Sequence, residues 1–98
     1  MSNGTKEFES VYLQLKEQAG SSRCTEVGYL LKKLGFEVKN GKNGGHKIIF
    51  HDYLPNFTSS SYNCGHGKNP EIKKPYIKNI LKILDLYKDD IINYIDSC

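Results

Sequence analysis

Gly44-Gly45-His46-Lys47 is the stretch of this chain whose residue types come closest to a reaction. Two glycines remove side-chain bulk, so a phosphodiester backbone can approach the chain closely. Histidine as a type titrates at about pH 6.5 without help, so an imidazole here can take or give a proton near neutrality. Lys47 adds a cation beside it. The same four residues also describe a glycine-rich hairpin turn followed by an exposed histidine, and both readings stand at this point. A second glycine-flanked histidine lies in Cys64-Gly65-His66-Gly67-Lys68. It precedes a segment carrying Lys73, Lys74 and Lys78, where a helix N-terminus and lysines would make a seat for phosphate. A plain surface loop fits those residues equally.

Two histidines with lysines nearby are the groups needed to cut RNA without a metal. A base removes the 2′-OH proton, the resulting oxygen attacks the adjacent phosphorus, and an acid protonates the leaving 5′-oxygen while cations steady the charge. Such proton transfer contributes roughly 10²–10⁴-fold per group. The substrate supplies its own nucleophile, so a small domain suffices, and DNA, which lacks the 2′-OH, is refused. Zinc is the competing use of these residues, since His46, His51, Cys64 and His66 are ligand types and Cys64-x-His66 is a chelating spacing. The chain has no paired Cys-x-x-Cys or His-x-x-x-His arrangement, so neither a metal nor another cofactor is expected. Serine hydrolase, P-loop and dinucleotide motifs are also missing. Tyr53, Phe57 and Tyr62 are candidates for stacking on unpaired bases.

A chain of 98 residues has room for one modest core. Its 38% hydrophobic and 26% charged residues exclude a disordered or collagen-like chain. No apolar run approaches the roughly 18–20 residues that span a bilayer, and the first ten residues lack the basic and apolar regions of a signal peptide. Cys24, Cys64 and Cys98 are too few for a disulfide framework, which points to a reducing cytosol. The net charge of +3 hides a division. Between Lys32 and Lys82 ten lysines face three acids, a net +7, whereas the rest of the chain is −4. A basic centre between acidic ends is the footprint of a chain that meets a polyanion with its middle, although a solvated lysine-rich surface has the same composition.

Helical spacing of Phe8, Val11, Tyr12 and Leu15 predicts a first helix, capped by Thr5 and ending near Gln18. Val27, Leu30, Leu31 and Leu34 predict a second, capped by Thr25, with Gly35 as its left-handed end. The period then changes to two. Residues 36–40 and 46–51 read as strands joined by a turn rich in glycine and asparagine, and Phe57–Tyr62 as a third strand. Pro75 opens a helix striped by Ile77, Ile80, Leu81 and Leu84. A break at residues 88–90 precedes a further short helix with Ile91, Ile92 and Ile95. The order α-α-β-β-β-α, with a possible extra C-terminal helix, implies an α+β layer: a three-stranded antiparallel sheet with helices on one face and the other face open.

These residues resemble the HicA family of bacterial toxins. The resemblance runs over about residues 23–87, through Leu34-Gly35-Phe36, Gly44-Gly45-His46-Lys47-Ile48-Ile49-Phe50-His51, Gly65-His66-Gly67, Ile72-Lys73 and Tyr76-Ile77-Lys78-Asn79-Ile80-Leu81. It implies a fold similar to a double-stranded-RNA-binding domain and a metal-independent mRNA interferase silenced by a HicB-like antitoxin in the cytoplasm. Residues 1–22 would then be an N-terminal helical extension and 88–98 a helical tail of one domain, 1–98. The family's Gly-Ser-His turn matches at His46, which the resemblance makes catalytic, with His66 a helper and His51 matching a histidine that ends the same strand. Gly44, Gly45, Lys47, Lys68, Lys73, Lys74 and Lys78 become candidates for RNA and phosphate contact. Gly45 stands where the family has serine, and Asp52 where proline often follows His51. A non-catalytic RNA-binding or protein-interaction module of the same fold is the alternative, and a structural zinc domain a third.

Overall fold

The computed structural model describes residues 2–19, 21–42, 45–65, 67 and 70–98. Seven elements follow in order: α1 (Asn3–Glu17), α2 (Cys24–Lys33), β1 (Glu37–Asn40), β2 (His46–Phe50), β3 (Ser60–Asn63), α3 (Lys74–Leu86) and α4 (Lys88–Ser97). The three strands form one antiparallel sheet with β2 in the middle. This is the α+β arrangement that the change of period predicts, with the C-terminal helix present.

The cap of α1 is Ser2, whose Oγ accepts the Thr5 N–H, so the helix starts two residues ahead of Thr5. α2 likewise starts at Cys24, ahead of Thr25. Gly35 has φ +92°, and a Cβ there would also stand 2.8 Å from His51 Nε2, so only glycine ends α2 this way. The break in the C-terminal region falls at Tyr87. Lys88-Asp89-Asp90 open α4 instead of interrupting it, because acids in a first turn complement the helix dipole.

The third strand is displaced. Pro55, and Asn56 at φ +63°, keep the chain out of the ladder until Ser60. Phe57 packs edge-on against Phe36 and Tyr87 from a loop. Phe8, Val11 and Leu15 of α1, Leu30 and Leu31 of α2, Ile49 of β2, Ile77 and Ile80 of α3 and Ile91 of α4 share one core. Each such buried side chain contributes roughly 1.5–3 kcal/mol.

Cys24 and Cys64, 40 residues apart, are joined by a disulfide with 5.4 Å between their Cα atoms. This corrects the expectation that three cysteines are too few for disulfide bonding and removes the ground that expectation gave for a reducing cytosol. Backbone pairing brings them together. Cys24 N–H donates to the Pro70 carbonyl at 3.0 Å, Ile72 N–H to Ser22 at 2.9 Å, and Cys64 N–H to Gly45 at 2.7 Å. Among the described residues, no helix is long and apolar enough to cross a membrane.

Candidate functional site

Strand register decides which chemical groups share a surface. Side chains alternate along a strand, so adjacent residues point to opposite faces. Pairing of Asn40 with Lys47 and of Lys47 with Tyr62 sets these three on the face that carries Val38 and Ile49, the helix-covered side. His46 pairs with Asn63, and its carbonyl accepts the Gly41 N–H at 2.8 Å. His46 therefore shares the other face with Glu37, Lys39, Ile48, Phe50, Ser61 and Asn63. There Lys39, Ser61 and Asn63 are exposed, and His46, Ile48 and Phe50 are half-buried. This is the open face expected for a ligand, and His46 stands on it.

Its imidazole lies over Gly41, where any Cβ would run into the ring. Gly41 is thus part of what seats the histidine, a role that its place opposite His46 in the hairpin could have revealed. Lys47 does not accompany His46: its ammonium donates to Asn40 Oδ1 on the far face. Lys39 is the cation on the face of His46. Its Nζ leans over the Phe50 ring, 5.3 Å from the centroid.

Gly45 is buried, and the reason for glycine there is the protein's own chain. A Cβ at position 45 would lie 2.7 Å from Asn63 Oδ1 and 2.9 Å from the Gly65 nitrogen, and closer still to the Gly65 carbonyl oxygen. The space that the sequence offers to a phosphodiester is filled by the turn after β3. Asn63 Oδ1 holds that turn by accepting the Gly65 N–H at 2.8 Å. Asn63 is a residue that sequence reasoning missed, and its asparagine-x-glycine spacing was the available signal. Gly44, His66 and Lys68 lie outside the described residues.

His51 turns inward and is 4% exposed. Its Nε2 is 2.9 Å from the Leu34 carbonyl and its Nδ1 accepts the Tyr53 N–H at 3.3 Å, so a tautomer protonated at Nε2 uses both nitrogens. It meets Phe36 and Tyr94 edge-on and serves the core. Of the residues proposed for base stacking, Tyr62 and Phe57 are taken up in packing, whereas Tyr53 is 51% exposed. Cys64 is bonded to Cys24, so the Cys64-x-His66 spacing does not present a thiolate in this state.

Lys73 precedes α3, and Lys74 and Lys78 lie one helical turn apart on its solvent side, opposite buried Ile77, Ile80 and Leu84. The first turn of α3 holds no acid. Cations at the positive end of a helix dipole are unfavourably placed, and an anion would relieve them. Asn79 Nδ2 reaches Ser60 Oγ at 3.5 Å, which puts this part of α3 beside β3. No family model, curated protein or solved structure matches the chain.

Proposed function

We propose that this chain is a HicA-like, metal-independent RNA endonuclease, the toxin of a toxin–antitoxin pair, built on a fold like that of a double-stranded-RNA-binding domain. The supporting observation is the bond between Cys64 N–H and the Gly45 carbonyl, 2.7 Å long. It sets the chain leading to His66 beside the start of the strand that bears His46. His46 takes the proton of the 2′-OH, the 2′-oxygen bonds to phosphorus, and the bond to the 5′-oxygen breaks. The leaving oxygen receives a proton from a second acid, a role this reading gives to His66. The products are a 2′,3′-cyclic phosphate and a 5′-hydroxyl. Lys73, Lys74 and Lys78 guide the RNA, with Gly44 and Lys68 at the phosphate. mRNA and a HicB-like antitoxin are the partners, and the cytoplasm is where both would be met.

His46→Ala should lower cleavage of a single-stranded RNA in EDTA by roughly 10²-fold or more. Undiminished cleavage would remove His46 from the chemistry. Two observations favour the second reading, an RNA-binding module that cuts nothing: Lys47 faces away from His46, and Gly45 is closed over by Gly65. RNA retention by the unaltered chain without cleavage products would decide for that module.

A further inference from the structure

The inner face to which Lys47 turns forms a second cleft. Gly28, Tyr29 and Lys32 of α2 line one wall, Asn40, Lys47 and Tyr62 of the sheet line the other, and the space between is about 360 Å³. Two cations face it, and among the described residues no carboxylate lines it. Tyr62 sits at its floor, 1% exposed, and its hydroxyl has no hydrogen-bond partner among the described residues. A buried donor without an acceptor is costly, and phenylalanine would fill the same space without that cost. The hydroxyl lies beside Gly28, where an added Cβ would come into van der Waals contact with it at 3.6 Å. Burial pushes the Tyr62 phenol up to about 12, so it remains a donor at neutral pH. At the rim the Tyr29 ring is 61% exposed.

We propose that this cleft binds the terminal phosphate of a nucleotide, with Lys32 and Lys47 neutralising it, Tyr62 Oη donating to one oxygen and Tyr29 meeting the nucleoside. A phosphate monoester carries nearly two charges and three acceptor oxygens, which match two ammonium groups and a hydroxyl better than a carboxylate does. An aromatic face at the rim suits a base. The phosphate belongs to a free nucleotide or to the 5′ end of an RNA strand; the recognition chemistry is the same. The cleft lies on the face of the sheet opposite His46 and does not depend on the cleavage reading.

Calorimetric titration of the full chain with AMP, adenosine, and an uncleavable 2′-O-methyl hexanucleotide with and without a 5′-phosphate tests this. Phosphate-dependent binding is expected, weakened about tenfold or more by Tyr62→Phe and by Lys32→Ala. The melting temperature of ligand-free Tyr62→Phe should stay the same or rise, which separates loss of binding from loss of fold. Binding of AMP assigns the site to free nucleotides, and binding of the phosphorylated hexanucleotide alone assigns it to RNA ends. Adenosine binding as well as AMP, no phosphate-dependent binding at all, or binding that Tyr62→Phe leaves unchanged would overturn the proposal.

Discussion

An alanine at position 45 would set its Cβ against backbone atoms of Gly65, which cannot rotate aside as a side chain can. Gly45→Ala should therefore destabilise the fold by roughly 1–3 kcal/mol, the usual cost of overpacking, read from the urea midpoint. An unchanged midpoint would show that the turn after β3 is not seated on Gly45. Any side chain at position 45 would meet the same atoms, so the glycine there and the docking of the Gly65 turn explain each other. His46 and Lys47 carry the complementary lesson. Their types are those of a catalytic pair, yet as neighbours in a strand they stand on opposite faces, and each serves a different surface.

At the scale of elements, the disulfide ties the first residue of α2 to the residue after β3. Closing a loop of this length restricts the unfolded chain, so Cys24→Ser with Cys64→Ser should lower stability by roughly 2–4 kcal/mol in denaturant unfolding. Equal stability of the variant and the oxidised protein would mean that the backbone pairing of residues 22–24 with 70–72 suffices alone. Nothing in cysteine spacing points to this bond, because it depends on the start of α2 and the end of β3 meeting in space. Elements with a clear period are legible in the sequence. Phe8, Val11 and Leu15 mark α1, the alternation around Val38 marks β1, and both lie where expected. Phe57 misleads because an aromatic side chain is buried equally well from a loop as from a strand. Caps shift by two or three residues, from Thr25 to Arg23 and from Thr5 to Ser2, since Ser2 and Thr5 are both capable and only packing chooses. The inward turn of His51 is invisible in the sequence because its partners, the Leu34 carbonyl and the Tyr53 N–H, are backbone groups.

The whole molecule sorts its charge along its fold. α1 and α4, which bear most of the acids outside the basic centre, pack together, and Asp96 accepts the Gly4 N–H at 2.7 Å. The lysines of α3 are exposed outside this pairing of the chain ends, where the proposed RNA would meet them. Binding of RNA should weaken with salt. Replacing Lys73, Lys74 and Lys78 together by Gln should lower the log–log slope by about 2, near 0.7 for each phosphate of a single strand that is no longer neutralised. An unchanged slope would move the RNA path elsewhere. The proposed reaction is tested most directly by the ends left on a defined RNA incubated with the full chain in EDTA. Fragments ending in a 2′,3′-cyclic phosphate are expected, with no cut where the scissile nucleotide is replaced by its 2′-deoxy form. Cleavage of the deoxy-substituted RNA, or fragments ending directly in a 3′-hydroxyl, would contradict attack by the 2′-oxygen.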